Sequence, residues 1–110
     1  MLSDCHSSAL VSRNGSVDWC CMPRFDSASV FGRILDWERG GFCSIAPVGR
    51  GWRAFRSYVE GTLVLCTTFR MSGGEARVYD CFTMREGGAE NPDRRLLRVI
   101  EGVRDRKSVV

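Results

Sequence analysis

"TLVLCTTFRMSGGEARVYDCFTM", residues 62–84, decides the fold class by its period. Between 62 and 71, Leu63, Leu65, Thr67, Phe69 and Met71 occupy every second position. That is the repeat of a strand with one buried face. Ser72-Gly73-Gly74 then turns the chain back. Residues 75–84 predict a second, antiparallel strand that puts Ala76, Val78, Phe82 and Met84 on one side. Asp80 falls on that same apolar face, so it either stands at a rim or has a partner.

The flanking sequence repeats the pattern of short strand and turn. Residues 51–59, "GWRAFRSYV", alternate and predict an edge strand, and 41–47, "GFCSIAP", predict a strand closed by Pro47. Downstream, 85–93 read as a polar loop, 94–103 as a strand, and "KSVV" at 107–110 as the start of another. Near the N-terminus, 8–13 and 16–21 predict a hairpin through Asn14-Gly15, the pair that suits a type I′ turn. Pro23 stops its second strand. Asp26 or Ser27 then caps a short helix over 27–37, with Val30, Phe31, Ile34 and Leu35 at helical spacing and Gly32 weakening it. The expected fold is mainly β: an antiparallel β-sandwich with an N-terminal hairpin and one short helix near residues 27–37. The last strand is cut at Val109-Val110 without a polar tail. An open apolar edge is a liability, so the natural chain is expected to continue and the sandwich to be incomplete.

Composition narrows the class of function. The chain has 110 residues, enough for one domain, and its 44% apolar share is that of a globular protein. The net charge of +3 is spread among 13 acidic residues, and Lys107 is the only lysine. With no basic stripe interleaved with aromatics, nucleic acid is not the expected partner. No apolar run approaches the ~20 residues of a membrane span, and no basic-then-apolar leader is present, so no membrane partner and a cytoplasmic location are expected. The six cysteines include no C-x-x-C pair and the only histidine is His6. Neither a metal nor a cofactor is therefore expected, and Cys20, Cys43, Cys66 and Cys81 read as small buried hydrophobes. Cys5 and His6, as neighbours on a strand, would point to opposite faces and make a poor nucleophile and base.

The densest chemistry lies in "SRNGSVDWCCMPRFDSASVF", residues 12–31. Trp19, Arg24, Phe25 and Asp26 are the candidate site residues. As a site, Arg24 donates to hydroxyls or an anion, Asp26 accepts or steadies Arg24, and the rings of Trp19 and Phe25 offer apolar surface to a sugar. As structure, Asp26 caps the helix, Arg24 pairs with Asp18, and both rings fill the core. Trp52 and Tyr58 carry the same pair of readings, exposed platform or packing.

"SDCHSSALVSRNGSVDWCCMPRFDSASVFGRILD" resembles the opening of trehalase-like and glucoamylase-like proteins of glycoside hydrolase family 15. "GGFCSIAP", "YVEGTLVLCTTFRMSGGEARVYDCFTM" and "RRLLRVIEGVRDR" resemble later blocks of the same domain, in order, so the likeness spans nearly the whole chain. Ser3 and Ala28 depart from the usual glycine and proline, and Arg104-Asp105 from a common glycine. The resemblance implies an N-terminal β-sandwich domain over 1–110. It also implies a C-terminal (α/α)6 catalytic barrel that is absent here and carries the acid and base of an inverting glycosidase. Inversion needs two carboxyl groups about 6.5–9.5 Å apart. Since the resemblance assigns both to the barrel, no catalytic residue is named on this chain. The expected function is a non-catalytic domain that docks on the barrel and shapes its pocket, meeting an α-glucoside substrate only indirectly. A free-standing saccharide- or protein-binding module and an inactive truncated product are the alternatives.

Overall fold

The computed structural model describes residues 1–91 and 93–104. They form nine strands: β1 (Leu2–Ser3), β2 (Ser8–Val11), β3 (Ser16–Cys21), β4 (Ser29–Phe31), β5 (Cys43–Ser44), β6 (Arg53–Tyr58), β7 (Leu65–Met71), β8 (Gly74–Phe82) and β9 (Leu96–Arg104). The strand expected over 107–110 lies outside the described residues.

Two antiparallel sheets result. In the first, β1, β2, β3 and β4 run side by side, and β5 joins β3 beside its Ser16–Val17 end. The second is the meander β6-β7-β8-β9, so β6 does lie at an edge. Alternation creates the second sheet. Leu65, Thr67 and Phe69 of β7 are buried, as are Gly74, Ala76, Val78, Asp80 and Phe82 of β8, while their neighbours are not. A slip of one residue would turn this whole set to solvent, which fixes the pairing of Leu65 with Asp80 and Phe69 with Ala76. Leu2, Ala9, Val11, Val17 and Cys20 of the first sheet meet Leu65 and Phe82 of the second in one buried cluster.

Several local expectations are corrected. No helix forms over 27–37. Ser29–Phe31 pairs with β3 instead, Phe31 opposite Cys20, because burying Phe31 against the core outweighs a helix weakened by Gly32. The hairpin at Asn14-Gly15 is present, but only Gly15 has a positive φ, +85°. The loop is a three-residue turn closed by the Gly15 N–H on Ser12 O at 3.0 Å, with a register shift beyond Leu10. The strand foreseen over 41–47 shrinks to β5. Of the cysteines read as buried, Cys20 is, whereas Cys43, Cys66 and Cys81 are partly exposed.

Asp80 has a partner, and it is the main polar tie between the sheets. Its side chain is 0% exposed and that of Arg98, opposite on β9, is 7% exposed. Arg98 Nε donates to Asp80 Oδ1 at 2.6 Å. Its two terminal nitrogens donate across the interface, to Cys43 O at 2.7 Å and Gly15 O at 2.6 Å. One guanidinium thus holds β8, β5 and the hairpin tip together, as its forked donors permit. At the other edge, Arg56 of β6 donates to Val11 O at 2.6 Å.

Candidate functional site

Three segments distant in sequence are joined by hydrogen bonds at one end of the molecule. Asp4 Oδ1 accepts the N–H groups of His6 (2.9 Å) and Ser7 (2.8 Å), closing a turn in which Cys5 is left-handed. The Ser7 hydroxyl donates to Cys21 O, fixing that turn to β3. The Phe25 N–H donates to His6 O at 2.9 Å, which brings in the 24–27 turn. His6 Nε2 lies 3.2 Å from Gly88 O, so this nitrogen carries the proton, and it ties in the 85–95 loop. That loop is itself closed by Thr83 Oγ1 on Asp93 (2.6 Å) and Arg85 Nε on Asn91 O (2.8 Å).

Between the three segments runs a cleft of about 440 Å³, lined by Cys5, His6, Pro23, Arg24, Phe25, Asp26, Glu90 and Arg94. Arg24 Nε lies 3.1 Å from Asp26 Oδ1, and both side chains are 72% exposed. The Phe25 ring is more than half exposed. Three of the four residues singled out in the sequence therefore share one cleft. Trp19 does not line it; it stands on β3 opposite Leu10, half-buried. The structural alternatives also change. Arg24 pairs with Asp26 and not with Asp18, whose partners are Ser16 Oγ (2.5 Å) and Arg33 (3.8 Å). Asp26 caps no helix, and Phe25 is outside the core. Trp52 packs edge-on against Phe69, ring centroids 5.2 Å apart, while the Tyr58 hydroxyl donates to Met1 O.

Sequence reasoning missed His6, Glu90 and Arg94 as cleft residues. A strand would part Cys5 and His6. They sit in a turn instead, and both face the cleft. Asp4 followed by Cys-His-Ser was the available signal, since Asp readily accepts from the N–H groups two and three residues on. Nothing in the 85–93 loop marked it as a neighbour of residue 24.

A second surface is apolar. Gly32 N–H donates to Gly40 O at 2.6 Å and Gly40 N–H to Asp36 O at 2.8 Å, closing the 32–40 loop on itself. Only glycine suits position 40, where a Cβ would come within 2.2 Å of Gly32 O. The loop presents Leu35 at 76% and Trp37 at 68% exposure, flanked by exposed Val30, Ile34 and Phe42. The Arg33 guanidinium lies 3.6 Å over the Trp37 ring and 4.1 Å over Phe42. Cation–π attraction and the pair with Asp18 hold these rings outward.

An apolar cavity of about 900 Å³ lies further round, between the 58–64 turn and residues 81–84. Burial raises the thiol pKa of Cys81 there, with the Asp80 charge adding to it, and burial likewise raises that of Cys20 in the core. Among the described residues, no three His, Cys, Asp or Glu side chains converge as metal ligands would, and no helix is long and apolar enough to cross a membrane.

Comparison with known proteins covers nearly the whole length. Residues 1–109 match the family described as trehalase-like, N-terminal. Over 83 residues, 76% of this chain, it is 46% identical to a trehalase of Mycolicibacterium smegmatis and 42% identical to one of Mycobacterium tuberculosis. Trehalase 1 of Sulfolobus acidocaldarius is 46% identical over 73% of the chain. The matched part is 12–14% of these relatives' own length. No solved structure matches. The fold, the ordered blocks of sequence and these matches lead to one conclusion: the chain belongs to the trehalase-like N-terminal family.

Proposed function

We propose that the chain serves as the non-catalytic N-terminal domain of an inverting, trehalase-like hydrolase of glycoside hydrolase family 15. On this reading it docks on a C-terminal catalytic barrel of the same polypeptide and shapes the mouth of its pocket. The observation that carries the proposal is the apolar face of residues 30–42. A hydrogen-bonded loop that keeps Leu35, Trp37 and Phe42 in water is costly for a free domain and suits a buried contact. The small share of the trehalase relatives that is matched supports a larger protein around this domain.

Arg24, Phe25 and Asp26 precede this face directly in the chain, and on this reading they stand at the rim of the docked contact. There they meet the barrel or the saccharide in its pocket, while Trp19 backs the sheet beneath. The α-glucoside is cleaved on the barrel, and this chain alone hydrolyses nothing. The test is Arg24→Ala in the full-length polypeptide. Lower kcat/KM for trehalose with an unchanged melting temperature supports a role at the pocket. Unchanged kcat/KM refutes it, and a lowered melting temperature alone assigns Arg24 to structure.

A further inference from the structure

The cleft between the 24–26 turn and the 88–94 loop has a chemistry of its own. Its charged groups balance: the guanidiniums of Arg24 and Arg94 against the carboxylates of Asp26 and Glu90. Such a lining has no net field to attract an anion. Donors and acceptors instead share the lining with an exposed phenyl ring, Phe25. Arg24 and Asp26 already satisfy each other at 3.1 Å, whereas Arg94 and Glu90 have no side-chain hydrogen bond or ion pair among the described residues. With Nε2 engaged on Gly88 O, the second ring nitrogen of His6, Nδ1, is left for a ligand. Arg94 has φ +60°, a left-handed backbone uncommon for a residue other than glycine, asparagine or aspartate.

A hydroxyl group both donates and accepts, and a pyranose adds an apolar C–H face. Few other ligands use an unpaired guanidinium, an unpaired carboxylate and an open ring together without carrying charge. The volume of about 440 Å³ lies in the lower part of the range of small-ligand pockets. The hydrogen bonds of the His6 N–H to Asp4, of His6 Nε2 to Gly88 O and of the Phe25 N–H to His6 O hold the three walls in place before any ligand arrives, which lowers the cost of binding.

We propose that this cleft is a saccharide-binding site of the domain itself, with Phe25 under the sugar ring, Arg94 and Glu90 as the hydroxyl-binding pair, and the Arg24–Asp26 pair as the opposite wall. It deepens the reading of Arg24–Asp26 given above, yet it needs no barrel. The open, exposed lining sets its affinity in the millimolar range.

The experiment is an amide-resolved NMR titration of the 110-residue chain with trehalose, maltose and, separately, sodium sulfate, repeated with Arg94→Ala and Glu90→Gln. Both replaced side chains are exposed, and the dispersion of the spectrum reports folding in the same measurement. Saturable shifts confined to residues 5–6, 24–26 and 88–94, weakened at least fivefold in Arg94→Ala, are expected. An unfolded spectrum for the unaltered chain overturns the claim that the domain binds by itself. No shifts at 100 millimolar sugar, about a hundred times the expected Kd, overturn the site, as do shifts centred on residues 30–42. A response to sulfate alone overturns the uncharged class of ligand. Docking on the barrel is read separately, through residues 35 and 37, so either proposal can fail without the other.

Discussion

Arg98→Met is expected to destabilise the domain by about 3–5 kcal/mol, the cost of removing one partner of a buried ion pair. The size follows from what is left behind. Asp80, fully buried on β8, loses the only cation within ion-pairing distance of it among the described residues. The Cys43 carbonyl loses this donor at the same time, and the Gly15 carbonyl keeps only the Ile45 N–H at 3.0 Å, which adds to the cost. A domain of this size is stable by about 5–15 kcal/mol in all, so the variant stands near the edge of folding. The assay is urea unfolding followed by tryptophan fluorescence and far-UV circular dichroism. Arg70→Ala is the control, since the Arg70–Glu75 pair at 2.9 Å lies at the surface and is worth at most about 1 kcal/mol. Arg98→Met combined with Asp80→Leu removes both charges and should recover part of the loss, without restoring the two bonds from Arg98 to the carbonyls of Cys43 and Gly15. A loss for Arg98→Met no larger than for Arg70→Ala would refute the claim that this residue ties the sheets together.

Other expectations follow from single contacts. Gly15→Ala puts a Cβ 2.1 Å from Ile45 O at φ +85°, so it should lower the melting temperature by at least the ~4 °C that corresponds to 1 kcal/mol in a domain this small; an unchanged melt contradicts the hairpin geometry. Thr67 Oγ1 is buried with no hydrogen-bond partner, and Thr67→Val should therefore raise stability by about 1 kcal/mol in urea unfolding. Cys20 and Cys81 have raised thiol pKa values through burial, so the folded chain keeps protons that the unfolded chain releases. Their contribution is complete below the ordinary thiol pKa and is lost as pH rises through the raised values. The urea midpoint should accordingly fall faster as pH rises above the ordinary thiol value of ~8.5 than it does in a Cys20→Ala/Cys81→Ala variant.

The fold was legible wherever one face of a strand is buried, because burial imposes a period of two. Residues 65–82 are the clearest case, and the same period places Asp80 on the apolar side, where it must either stand at a rim or have a partner. Its identity was not legible: Arg98 lies 18 positions on and reads locally as one more alternating charge. The helix over 27–37 failed for a related reason. Val30, Phe31, Ile34 and Leu35 fit a helical face, but pairing with β3 is a tertiary gain that local spacing does not reveal. In the candidate cleft, Arg24, Phe25 and Asp26 stood out because charge and aromatic ring alternate within three residues. His6, Glu90 and Arg94 could not, since only the folded backbone brings residues 6, 25 and 88 together.

Association of this chain with a separately produced catalytic barrel from the same polypeptide tests the docking proposal most directly. It can be followed by sedimentation velocity with the wild-type chain and with Leu35→Glu/Trp37→Glu. Both side chains are exposed here, so the variant should melt as the wild type does. The expected result is a one-to-one complex that the double replacement weakens at least a hundredfold, about 2.7 kcal/mol, as buried charges at an apolar contact require. A complex of equal affinity with the variant, or none with the wild-type chain, would contradict docking through the 30–42 face.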